Sequence, residues 1–174
     1  MALATEMEEI YSSSGVKFNW KIKKISTSGA IFTDTDVFSI GATKWKARIY
    51  PEGFGTVFDH LSLYLLAVDL TENVDTEFTF AVTSQTDRNN TVRKKRKVIY
   101  VETSVQGFGW TYFMPLHKLH DPNNGYIVDD SCVISIEVTC WMKQEDSTLK
   151  ESDPHKLPEA KRAKIKDVRK LSMI

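Results

Sequence analysis

Lys44-Trp45-Lys46-Ala47-Arg48-Ile49-Tyr50-Pro51-Glu52-Gly53 alternates charged and apolar side chains until a proline and a glycine interrupt it. Trp45, Ala47 and Ile49 fall on one side of an extended chain and Lys44, Lys46 and Arg48 on the other, the period-two pattern of a half-buried strand. Pro51 and Gly53 close it in a turn. The same pattern recurs in both directions. Upstream, Val16, Phe18, Trp20 and Ile22 oppose Lys17, Asn19, Lys21 and Lys23.

Downstream, Leu61, Leu63, Leu65 and Ala67 share one face, while Ser62, Tyr64, Leu66 and Val68 make a mixed second face. A strand with apolar groups on both sides is either central or a platform for a ligand. Phe78, Phe80 and Val82 mark another strand, Val98 to Thr103 another, and Ser131 to Met142 a long last one with Cys132, Ile134, Ile136, Val138 and Cys140 inward. Asp121-Pro122-Asn123-Asn124-Gly125 reads as a turn. No helical period persists over three turns, so an all-β antiparallel sandwich is expected. The organisation predicted is an N-terminal extension over 1–15, a folded domain over 16–142 and a flexible, charged tail over 143–174. From Lys156 onward that tail holds seven basic and two acidic residues.

With 174 residues and a 41 % apolar share, one core can form. Lysine plus arginine equals aspartate plus glutamate at 23 each, so no global field draws the chain to nucleic acid or to an anionic membrane. The acidic start has no secretory apolar run and no later stretch is long enough to span a bilayer, which predicts a cytoplasmic protein with the nucleus as the alternative. Cys132 and Cys140 lie eight positions apart on one strand, about 26 Å when straight, beyond the roughly 7 Å reach of a disulfide. Both are expected to be free thiols.

The segments Phe18-Asn19-Trp20-Lys21-Ile22, Trp45 to Gly53, His60-Leu61-Ser62-Leu63-Tyr64-Leu65, Gly107-Phe108-Gly109-Trp110-Thr111-Tyr112-Phe113-Met114 and Gly125-Tyr126-Ile127-Val128-Asp129-Asp130 occur in this order. Together they resemble the meprin-and-TRAF-homology (MATH) family over roughly Phe18 to Cys140, in wording most like its plant members. The resemblance implies an eight-stranded antiparallel sandwich with a shallow groove on one sheet, where partners lay short, extended peptide motifs. It also implies an adaptor or substrate-recognition role in ubiquitin-linked pathways.

By that resemblance the groove residues are Tyr64, Phe78, Tyr100, Gln106, Gly107, Phe108, Trp110 and Thr111. Alternation sends Tyr64 away from Leu61, Leu63 and Leu65, and Tyr100 away from Ile99 and Val101, which suits exposed anchors. The competing reading packs these rings under loops. Phe78 shares its parity with Phe80 and Val82 and fits the core as well as the groove. Gln106, Gly107 and Thr111 stand where serine-binding members carry charged and polar groups, so a different peptide motif is expected.

Arg93-Lys94-Lys95-Arg96-Lys97 matches a nuclear-import pattern, but it leads into a strand and reads more simply as lysine guarding a sheet edge. Lys161-Arg162-Ala163-Lys164-Ile165-Lys166 is the better import candidate. No nucleophile with a base, carboxylate pair or metal-ligand spacing is present, so neither an enzyme nor a cofactor is expected. Asp129-Asp130 reads as a polar turn. A monomer that binds peptides, with no small-molecule substrate and no membrane partner, is the leading expectation. The alternative is binding of nucleic acid or an acidic surface through Arg93 to Lys97 and the tail, with nucleic acid disfavoured.

Overall fold

In the computed structural model, which describes residues 11–143, the alternating segments become strands wherever their apolar parity can be buried. The strands are β1 (Tyr11–Lys23), β2 (Thr33–Asp34), β3 (Phe38–Ile40), β4 (Thr43–Tyr50), β5 (His60–Asp69), β6 (Val74–Thr83), β7 (Val92–Tyr100), β8 (Phe108–Pro115), β9 (Ile127–Val128) and β10 (Ser131–Lys143). A single helical turn, α1 (Leu116–His120), follows β8. Ten strands are thus present among the described residues where eight were expected. Three of them, β2, β3 and β9, are only two or three residues long.

The strands form two antiparallel sheets. The first runs β1-β10-β6-β7, with β9 beside β10; the second runs β2-β4-β5-β8, with β3 beside β4. Their inner faces meet in one apolar cluster containing Trp45, Ile49, Leu61, Leu63, Leu65, Phe78, Phe80, Ile134, Ile136 and Val138. Phe18 and Trp20 pack half-buried against it. Cys132 and Cys140 are buried free thiols on β10, as their spacing predicts.

The expected boundary at Val16 is corrected by the ladder. Tyr11 to Gly15 pair with Lys143 to Thr139, so the strand begins five residues earlier. Tyr11-Ser12-Ser13-Ser14-Gly15 has no apolar alternation to betray it; backbone pairing rather than side-chain burial holds it. The expected tail lies outside the described residues, apart from Lys143, which ends β10.

Turn chemistry behaves as composition predicts. Asp121 accepts a 2.9 Å hydrogen bond from Asn123 N, and Gly125 takes a left-handed φ of 67°. Asp130 accepts from Ser26 N and from Thr27 Oγ1, at 2.9 and 2.7 Å, which ties the turn before β10 to the end of β1.

Candidate functional site

The antiparallel register of the second sheet stacks its outward side chains in rows. Arg48 on β4, Tyr64 on β5 and Gly109 on β8 stand side by side, and Tyr50 lies opposite Ser62. β5 is therefore a central strand, one of the two readings its two-sided pattern allowed. Inward it buries Leu61, Leu63 and Leu65; outward it offers Tyr64.

Tyr64 sits in an aromatic cluster. Its ring lies 6.0 Å from Tyr50 and 5.4 Å from Phe54, which are themselves 4.6 Å apart. Phe54 reaches this place because the Pro51–Gly53 turn folds the chain back after β4. The Tyr64 hydroxyl shares a 2.6 Å hydrogen bond with Thr111 Oγ1. Thr111 O accepts in turn from Ser62 Oγ at 2.6 Å, so the tyrosine is braced by Thr111 of the neighbouring strand β8, itself tied back to β5. With Arg48, Leu66, Val105 and Gln106, these rings line a depression of about 230 Å³.

Charge borders this depression on one side. Arg48 donates to both oxygens of Asp34 on β2, at 2.6 and 2.8 Å, and Lys46 Nζ lies 2.8 Å from the same carboxylate. Partial burial disfavours ionised Asp34, but hydrogen bonds from Arg48 and Lys46 outweigh it and hold the carboxyl below its usual range. The Arg48 guanidinium also stacks 3.8 Å from the Phe32 ring centre. Two cations against one anion leave this border positive.

Of the eight residues expected in a groove, Tyr64, Gln106 and Thr111 come together on this face. Gly107 adjoins them with a φ of 71°, and a Cβ there would stand 2.3 Å from Leu65 O. The lack of a polar side chain at 107 is thus a backbone requirement, since any side chain would strike β5. The other expected anchors are corrected.

Tyr100 is fully buried: its ring meets Trp45 edge-on at 4.8 Å and its hydroxyl donates to Leu65 O at 2.6 Å. The parity assigned to Val98–Val101 was inverted, for Ile99 is the residue that faces out, 59 % exposed. Val-Ile-Tyr-Val has apolar groups in both phases, and only pairing with β6, which sets Tyr100 against Val74, selects one. Phe78 is buried beside Phe80. Trp110 turns inward against Phe78, Phe80 and Phe113 at 5.5, 6.1 and 5.8 Å, and Phe108 packs on Tyr100 at 4.9 Å. Tyr100 and Phe78 lie in the core under the face, and Phe108 and Trp110 pack against that core half-buried.

Sequence reasoning missed Tyr50, Phe54, Arg48, Leu66 and Val105. Tyr50 shares the parity of Arg48 on β4 and was readable as outward, whereas Phe54 and Val105 lie in turns and needed the fold to place them.

The basic run does not make one patch. It is strand β7, the edge of the first sheet, and alternation divides its charges. Lys95 and Lys97 face out and pair with Glu77 and Asp75 on β6, at 2.7 and 3.5 Å. Arg93 lies with Arg88, Asn19 and Ser135 around a shallow polar hollow. Lys94 and Arg96 turn toward the second sheet and donate to Tyr112 O and Gly109 O, both at 2.7 Å. The expectation of lysines guarding an edge fits this arrangement.

Two antiparallel sheets over a shared core make a β-sandwich of TRAF-like architecture. A family model described as MATH domain matches residues 17–138, and the chain belongs to that family, a protein-interaction module. Among its relatives, Ubiquitin C-terminal hydrolase 12 of Arabidopsis thaliana is 34 % identical over 128 residues, covering 71 % of this chain and 11 % of the hydrolase. A MATH domain and coiled-coil domain-containing protein of the same plant is 31 % identical over 126 residues, covering 70 % of this chain and 38 % of the relative. The chain thus spans well under half the length of these relatives. A solved structure of Notothenia coriiceps TRAF5 superposes with a TM-score of 0.57 at 20 % identity, over 77 % of each chain, and shares the fold.

Proposed function

We propose that this domain binds an extended segment of another protein across the outer face of the second sheet, seating one apolar or aromatic side chain in the depression between Tyr50, Phe54 and Tyr64. The carrying observation is that cluster: three rings within 6.0 Å of one another on a sheet face, beside an open hollow, with the central tyrosine fixed by Thr111. Rigid aromatic groups beside a hollow are the usual anchors of protein recognition because they lose little entropy on binding. Membership of a family of protein-interaction domains supports recognition as the role of this face. The kinship with a ubiquitin hydrolase supports a place as a recognition or adaptor module in a ubiquitin-linked pathway.

The test is selection of peptides from a random library displayed on phage against the full chain. Tyr64→Ala and Phe54→Ala should each weaken a selected peptide by about thirtyfold, about 2 kcal/mol. Thermal midpoints should change little, because both rings are partly exposed. Unchanged affinity in both variants would place the partner elsewhere.

A further inference from the structure

The outer face of the first sheet is unevenly charged along its strands. Register sets Lys17, Glu137, Thr79 and Lys95 in one row across β1, β10, β6 and β7, and Asn19, Ser135, Ala81 and Arg93 in the next. The carboxylates that these strands hold are Glu137, Glu77 and Asp75, and each has its own lysine: Lys17 at 3.6 Å, Lys95 at 2.7 Å and Lys97 at 3.5 Å. All three lie to one side of the Asn19–Arg93 row, and toward the other end the strands contribute no acid to this face. There Arg93 shares a shallow hollow of about 540 Å³ with Arg88, from the connection between β6 and β7, and with Thr83, Thr91, Ser135 and Asn19. The short side chains Ser135 and Ala81 in the middle of the row leave that space.

The free polar groups here are donors. Among the described residues neither guanidinium has a carboxylate or any other hydrogen-bond partner. The nearest acid in sequence, Asp87, uses Oδ1 to accept from Asn89 N at 3.0 Å. Ser135 Oγ donates to Asn19 Oδ1 at 2.6 Å, which occupies the acceptor of that amide and leaves its Nδ2 hydrogens available. Two unpaired cations beside an amide donor match a group with several acceptor oxygens and more than one negative charge. A carboxylate would pair one guanidinium and leave the other as it was.

The form of the hollow narrows the carrier of that group. A small-molecule site buries most of its ligand in a cleft, and this one is shallow. A polyanion such as nucleic acid needs a continuous positive track, whereas this face turns mixed in charge one row away, at Lys17, Glu137 and Lys95. A single doubly charged group on a protein chain meets neither objection, and the chain belongs to a family of protein-interaction domains. We propose that the hollow binds a phosphoserine or phosphothreonine of a partner protein, Arg88 and Arg93 gripping the phosphate oxygens and Asn19 Nδ2 donating a further bond. The site lies on the sheet opposite the Tyr64 face and stands independently of the function proposed there.

The probe is a degenerate peptide library with a fixed central phosphoserine, passed over the immobilised full chain. The selected sequence is then made with phosphoserine, serine or glutamate at its centre. The phosphorylated form should bind at least about thirtyfold more tightly than the serine form, and glutamate should recover little of the difference. Arg88→Gln and Arg93→Gln should each lose about tenfold, with Arg93→Lys recovering part, since an ammonium keeps the charge without the planar fork. Both arginines are exposed, so thermal midpoints should hold. In magnetic resonance spectra the Nε–H signals of Arg88 and Arg93 should move as phosphopeptide is added.

Equal affinity for the phosphoserine and serine forms, or indifference to both glutamine variants, would overturn the proposal. Inorganic phosphate binding as tightly as the phosphopeptide would mark a site for small anions and refute a protein ligand. Tyr64→Ala should leave phosphopeptide affinity unchanged. Its loss in that variant, with the arginine variants unaffected, would move the phosphate to the other sheet and sink this inference while sparing the Tyr64 site.

Discussion

The hydroxyls of Tyr64 and Tyr100 make hydrogen bonds of the same length, 2.6 Å, and their removal should have unequal effects. Tyr100→Phe deletes the donor that satisfies Leu65 O inside a fully buried site. The ring keeps its contacts with Trp45 and Phe108, so no large cavity opens, and the cost is the stranded carbonyl, about 1–3 kcal/mol. Tyr64→Phe deletes a bond to Thr111 Oγ1 on a half-exposed face, where water can replace the lost partner. That change should cost under about 0.5 kcal/mol. Urea unfolding of the full chain, followed by tryptophan fluorescence, measures both. Tyr100→Phe should lower the midpoint with an unchanged slope and reduce Tm by about 4–12 °C, taking about 4 °C per kcal/mol for a domain of this size. If Tyr64→Phe proved the more damaging of the two, the assignment of Tyr100 to the core and Tyr64 to the face would be wrong.

Alkali should weaken the fold. Burial pushes the Cys132 thiol up to about 12 and the Cys140 thiol up to about 11, against about 8.5 in an unfolded chain. Both therefore hold their protons more tightly when folded. Their contribution is complete below about pH 8.5 and is lost as pH rises toward the folded values, by up to about 1.4 kcal/mol per thiol per pH unit. A Cys132→Ala, Cys140→Ala chain should show a shallower decline above pH 9, and an equal slope would acquit the thiols. Gly109→Ala should cost about 2–3 kcal/mol, because its Cβ would stand 1.9 Å from Leu63 O and force β8 off β5. Gly29→Ala, with φ at 63° but open space around it, should lose only about 1 kcal/mol, so equal midpoints for the two variants would contradict the contact.

The strands were legible wherever one parity was apolar and the other polar, as in Trp45-Lys46-Ala47-Arg48-Ile49 and in β10. Where both parities were apolar, local sequence could not choose. Val98-Ile99-Tyr100-Val101 was read in the wrong phase for that reason, and pairing with β6 supplied the missing information. Tyr11 to Gly15 was invisible because a serine run pairs through its backbone alone. The candidate face was half legible. Tyr64, Gln106 and Thr111 followed from alternation and family resemblance, while Phe54 and Val105 reach the hollow only through loop paths. Phe108 and Trp110 lie on β8, a strand of the face itself, but point inward, while Phe78 lies on β6 of the opposite sheet and packs in the core beneath.

Five consecutive basic residues in a loop would be an open invitation to trypsin. In this fold the same five lie within a strand paired with β6 along its whole length, and two of them are anchored across the sandwich. A protease needs several residues of backbone lifted free before it can cut, so scission between Arg93 and Lys97 requires β7 to peel from the sheet. The run thus doubles as an internal gauge of edge opening: its cleavage rate, normalised to cleavage elsewhere, counts how often β7 lifts from β6.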